Sequence, residues 1–64
     1  MTSETLASHV KGWRQRAGLT QVTAAEQLQM SVATLRNIEQ GRPFKFAPLL
    51  LLAIEALEAR GHGR

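Results

Sequence analysis

The sequence contains no cysteine, so neither a disulfide framework nor a thiolate metal site can hold it together. Stability must come from helix packing or from a partner subunit, which suits a reducing cytoplasm. Proline occurs only at positions 43 and 48, and no repeat, low-complexity stretch or linker breaks the chain. That leaves short helices joined by tight turns. No long apolar run is present: "FAPLLLLAIEAL" is interrupted by Glu55 and Glu58 and is too short to span a bilayer, and the N-terminus lacks an apolar signal segment. The expectation is a soluble, cytoplasmic protein with no membrane association. Sustained two-residue alternation is also missing, which argues against a sheet and for an all-α fold. A chain of 64 residues has room for one domain, 1–64, with a single core and no enclosed active-site cavity. Eight Lys or Arg against five Asp or Glu give a net charge of +3 and a pI near 10.7. This is a modest bias toward polyanions, shared by many small proteins that bind none.

What is present is punctuated clearly. Leu6, Val10, Trp13 and Ala17 fall at i, i+4, i+7 and i+11, one apolar stripe on a first helix over about residues 4–17, with Ser3 as its N-cap and Gly18 as its stop. Leu19 follows as a core plug. Thr20 caps a second helix, about 20–28, whose inward residues are Ala24, Ala25 and Leu28. Ser31 caps a third, about 31–40, closed by Gly41. Pro43 forbids continuation, "RPFKF" forms a loop, and a last helix runs over about 47–60 with Pro48 in its first turn.

The third helix carries the most informative surface. At about 100° per residue, Leu35, Ile38 and Thr34 share one side, while Val32, Ala33, Arg36, Asn37 and Gln40 share the other. An ordinary solvated face would carry long Glu and Lys side chains, and this one has none. A helix entering a DNA major groove needs short residues near its N-terminus, apolar groups to meet thymine methyls, and amide or guanidinium groups for base edges. Val32, Ala33, Asn37 and Arg36 suit those tasks.

Two short helices joined by a tight turn make a helix-turn-helix pattern. The run "WRQRAGLTQVTAAEQLQMSVATLRNIEQGRPF" resembles the Cro/C1-type (XRE-like) helix-turn-helix family of bacterial and phage repressors. The marks are Arg14, "LTQ" at 19–21, Ala25, and "MSxxTLxxIEQG" with Glu39 and Gly41 in place. The closing segment is similar to small phage or mobile-element autoregulators, such as anti-CRISPR-associated repressors, and to HigA-like antitoxins. The resemblance implies a lambda-repressor-like domain of four to five helices. It further implies base contacts from Val32, Ala33, Thr34, Arg36 and Asn37, and phosphate contacts from Thr20, Gln21, Gln40, Arg42 and Lys45. Arg14 and Glu39 match a charged pair that joins helix 1 to the end of helix 3. The wheel places Glu39 beside Leu35, at the margin of the inward face, although a plain surface ion pair would also fit. Two departures stand out: Gln29 occupies the place of the usual turn glycine, and Gly12 sits inside helix 1. Each costs about 1 kcal/mol or else changes the local geometry.

On the last helix, Leu50, Ala53, Ile54 and Leu57 form one apolar stripe, and Leu49, Leu52, Ala56 and Ala59 form a second. One core needs only the first, unless the contact is unusually wide. A symmetric homodimer would cover the second, with Leu49, Leu52 and Ala56 at the interface, and would place two recognition helices about 34 Å apart on an inverted repeat in double-stranded DNA. The resulting expectation is a non-enzymatic, sequence-specific repressor that binds a palindromic operator in its own promoter, for example in an anti-CRISPR or other phage operon. The alternative is an antitoxin or protein-interaction module that engages a toxin partner through the last helix. No cofactor, metal or catalytic group is expected. His9 and His62 lack ligand spacing and are read as surface and tail residues, Trp13 is read as core rather than as a base-stacking group, and Arg60 and Arg64 are assigned no contact.

Overall fold

The computed structural model describes residues 2–61. It contains α1 (Ser3–Arg16), α2 (Gln21–Leu28), α3 (Val32–Glu39) and α4 (Ala47–Gly61), and no strand among the described residues. The fold is all-α, with four helices. His62 and Arg64 lie outside the described residues.

The first three helices start and stop by the same two devices. At each N-terminus a hydroxyl at the N-cap accepts the backbone N–H three residues on: Thr2 from Thr5 at 3.0 Å, Thr20 from Thr23 at 3.1 Å, Ser31 from Thr34 at 3.1 Å. In every case the third residue is threonine, and its hydroxyl meets that of the cap at 2.8, 3.1 and 2.8 Å, with Thr20 and Ser31 donating in the second and third. These are hydroxyl N-caps steadied by a second hydroxyl three residues on, and each cap contributes about 1 kcal/mol. Ser3 is therefore not the cap of α1. Thr2 takes that place: its hydroxyl accepts the Thr5 backbone N–H and meets the Thr5 hydroxyl, whereas the third residue on from Ser3 is Leu6.

At each C-terminus the chain turns left-handed and closes a pair of Schellman bonds. Gly18 (φ 70°), Gln29 (φ 59°) and Gly41 (φ 87°) supply the positive φ. The next amide then reaches back to a carbonyl: Leu19 to Arg14 at 3.0 Å, Met30 to Ala25 at 3.0 Å, Arg42 to Asn37 at 3.1 Å. Gln29 thus adopts the glycine conformation without being glycine, and the turn between α2 and α3 keeps its geometry at a cost of about 1 kcal/mol.

Leu6, Val10 and Trp13 from α1, Ala24 and Ala25 from α2, Leu35 and Ile38 from α3, and Leu50 and Ile54 from α4 form one buried cluster. Leu19, Leu28, Met30 and Val32 pack against its edge. Trp13 is a core residue. The two alanines are almost wholly covered, so α2 approaches its neighbours closely. Ala17, expected on the α1 stripe, is instead exposed as the C-cap residue, because the turn at Gly18 lifts it from the core. In a chain whose total stability is about 3–10 kcal/mol, truncating Leu35 or Ile54 to alanine, at about 2–5 kcal/mol, removes a large share of it.

Candidate nucleic-acid interface

Glu39, the last residue of α3, is the one buried charged residue of the described chain. Its carboxylate gathers three elements. Arg14 of α1 donates to it through Nε at 2.7 Å and Nη2 at 3.1 Å, and Gln21 at the start of α2 donates through Nε2 at 3.2 Å. The remaining Arg14 nitrogen, Nη1, donates to the Leu19 carbonyl in the α1–α2 turn at 3.1 Å. The side chains are 3% exposed for Glu39 and 18% for Arg14, and no buried side-chain polar atom among the described residues lacks a partner. The forked, two-bond geometry is the strong form of a carboxylate–guanidinium contact. The hydrogen bonds that Arg14 donates to Glu39, opposed by burial and aided by the carboxylate's charge, raise the Arg14 pKa above its ordinary value. A raised pKa contributes stability fully present below the unfolded value and lost only above it, so Arg14 stays charged throughout the range in which the protein is handled.

Gln21 was expected to meet a phosphate. The structure places it half-buried, with its amide spent partly on Glu39. It fixes α2 to the end of α3, and one Nε2 hydrogen is left for any contact outside the chain.

The outward face of α3 has a narrower set of free groups than the wheel suggests. Ala33, Arg36, Asn37 and Gln40 are exposed. Val32 is only partly outward: it is half-buried and packs against the core edge. Thr34 is also half-buried, and its hydroxyl is held by Ser31 at 2.8 Å. Asn37 accepts at Oδ1 from Arg42 Nη1 at 3.2 Å, a contact that spacing along one helix could not reveal because Arg42 lies beyond the cap. Thr20, Arg42 and Lys45 are exposed. Thr20 uses its hydroxyl as the α2 cap, and the Lys45 ammonium sits 6.0 Å from the centre of the Phe46 ring.

Two short helices with a three-residue turn, 29–31, the second presenting a polar face and both fixed to a buried carboxylate, form a helix-turn-helix. Residues 5–64 match the model of a family described as helix-turn-helix domain. The chain belongs to that family. No curated protein and no solved structure gives a significant match to this helix-turn-helix domain. Such domains bind DNA, and in this one α2 and α3 are the two helices of the motif.

The helix-turn-helix domain leaves a second surface open. Leu49 is 64% and Leu52 61% exposed on α4, and Phe46 just before it is 54% exposed. Ala56 and Ala59 continue the exposed face, while Leu50 and Ile54 on the opposite stripe are buried. Between α4 and the α2–α3 turn runs an open groove of about 320 Å³ lined by Leu28, Met30, Phe44, Phe46, Leu49 and Ala53 among others. Phe46 was not anticipated as part of this surface. An aromatic in a loop carries no periodicity, and only the edge-on packing of Phe44 against it, with ring centres 5.9 Å apart, shows where it lies. His9 is exposed, no metal-binding cluster occurs among the described residues, and no described helix is long and apolar enough to cross a membrane.

Proposed function

We propose that the protein is a sequence-specific transcriptional repressor of the Cro/C1 type, acting in the cytoplasm as a homodimer on an inverted repeat in its own promoter, in a phage or mobile-element operon such as an anti-CRISPR operon. One observation carries the reading: the exposed side of α3 holds Ala33, Arg36, Asn37 and Gln40 with no Lys or Glu among them, on a helix fixed by Glu39 to α1 and α2. Short and hydrogen-bonding residues on a rigid helix are what base-edge reading requires. Arg36 and Asn37 carry direct base readout, and Ala33 allows the backbone to approach and meets thymine methyls. Val32 and Thr34, being half-buried, contribute contacts only at the helix N-terminus. Thr20, Gln40 and Lys45 contact the backbone phosphates and set register and affinity, and Gln21 adds the one amide hydrogen that Glu39 leaves it; Arg42, expected among them, is instead engaged with Asn37. Repression is by occupancy of the promoter. Leu49, Leu52 and Ala56, joined by Phe46, supply the dimer contact.

Fluorescence anisotropy with DNA from just upstream of the gene tests this reading. Wild type binds it more tightly than random duplex and with a steep salt dependence. Asn37→Ala loses about 5- to 150-fold in discrimination without losing helicity, and Leu52→Glu weakens binding together with a shift to monomer. Equal affinity for the upstream and random duplexes at physiological salt contradicts autorepression. A second reading, an antitoxin that binds a toxin through α4, draws on the same exposed apolar face; a stoichiometric second protein copurifying through Leu49 and Leu52 would favour it.

A further inference from the structure

Arg42 lies outside α3, yet it is attached to that helix at two points. Its backbone N–H donates to the Asn37 carbonyl at 3.1 Å, closing the cap at Gly41. Its Nη1 donates to Asn37 Oδ1 at 3.2 Å. Pro43 follows, and a residue before proline is kept out of the helical region, so the course of the backbone at Arg42 is restrained from both sides. The α3 cap thus returns Arg42 to the outward face next to the asparagine.

The chemistry of the two side chains is asymmetric. A guanidinium donates and never accepts, so only the oxygen of the Asn37 amide can face it. The contact selects one of the two flip states of that amide and leaves both N–H groups of Nδ2 free. An asparagine able to turn can offer a donor and an acceptor together, as adenine requires, or either one alone. With its oxygen engaged, Asn37 is biased toward donation, and the unused N–H groups of Arg42 stand beside it.

The geometry points to Arg42 as a specificity-determining positioning residue of the DNA face: it acts through Asn37, and the two side chains form one donor-rich unit that selects acceptor edges, guanine N7 and O6 foremost, and rejects the cytosine amine. This rests on the DNA-reading function proposed above. It differs from a phosphate anchor, which would change affinity for all sequences alike.

Wild type, Arg42→Lys, Arg42→Gln and Asn37→Ala are each carried through selection from a randomised duplex pool, then titrated on the wild-type consensus at two salt concentrations. Wild type enriches guanine at the base pair whose preference Asn37→Ala abolishes. Arg42→Lys, still a pure donor, keeps that preference. Arg42→Gln, which accepts as well as donates and lets the neighbouring amide turn, loses about tenfold in discrimination at that pair while other positions retain theirs. The inference is overturned if Arg42→Gln keeps the guanine preference and only weakens all duplexes equally, with the salt slope reduced by about one, the mark of a lost phosphate contact. A wild type that enriches no motif overturns the DNA-reading function and the inference with it. The two failures are distinct because only the first leaves a wild-type motif in place. Free protein gives a DNA-independent readout: Asn37 side-chain amide resonances displaced from random-coil positions, and returned to them by Arg42→Gln, support the contact, whereas undisplaced resonances in wild type overturn it.

Discussion

The Glu39 carboxylate and the outer face of α4 meet the limits of a small domain in opposite ways. Around Glu39 a charge has been taken inside, and Arg14 and Gln21 from two other helices are committed to it. On α4, Leu49 and Leu52 have been left outside with water as their neighbour. The first arrangement fixes how the helix-turn-helix sits on α1, since a buried carboxylate tolerates no other placement of its donors. The second gains nothing for the single chain, because apolar area stabilises only when it is removed from water. Internal polar pairing sets how the helix-turn-helix is held on α1, while the outer face of α4 leaves apolar surface in water.

The comparison breaks most severely at the carboxylate. Glu39→Ala leaves Arg14 as a lone, mostly buried cation and is expected to cost about 3–5 kcal/mol, a large part of the stability of a domain this size; chemical denaturation would show a midpoint lowered accordingly. Glu39→Gln keeps the shape but not the charge, and its smaller loss would separate hydrogen bonding from electrostatics. On the other face, Leu52→Glu is expected to leave the fold of the monomer intact and to weaken self-association at least tenfold, read by sedimentation velocity. A loss of helicity instead would mean that α4 needs its outer face for its own packing.

Smaller effects sharpen the picture. Gln29→Gly removes the left-handed strain in the α2–α3 turn and should raise stability by about 0.5–1 kcal/mol, the relief being partly offset by the looser unfolded chain; the denaturation midpoint measures it. Least of all, the exposed Arg16–Glu58 pair, at 3.2 Å with the two side chains 64% and 33% exposed, should change stability by about 0–1 kcal/mol on Arg16→Ala, and less in high salt.

Much of this was legible in the residues. Thr20 and Ser31 marked helix starts by their hydroxyls and Gly41 a helix end by its freedom at positive φ, and the two stripes of α4 separated Leu50 and Ile54 from Leu49 and Leu52 by period alone. The Thr2 cap was also written in the sequence, since "TSET", "TQVT" and "SVAT" repeat one pattern, but the repetition is apparent only when the three starts are compared. What period could not deliver were contacts made across turns. A wheel places Val32 outward and cannot know that it packs half-buried against the core edge. It cannot see that Gln21 turns inward to Glu39, 18 residues on, or that a left-handed cap brings Arg42 back beside Asn37. The site residues follow the same division: their helix is legible, and the partners that orient their side chains are set by tertiary packing.

The measurement that bears most directly on the whole account is the mass of the protein–DNA complex, by sedimentation velocity on an inverted-repeat duplex selected by the wild-type protein. The account predicts two chains per duplex, bound cooperatively, with half-sites about one helical turn apart and cooperativity lost in Leu52→Glu. One wild-type chain per duplex, with affinity unchanged by Leu52→Glu, would contradict it.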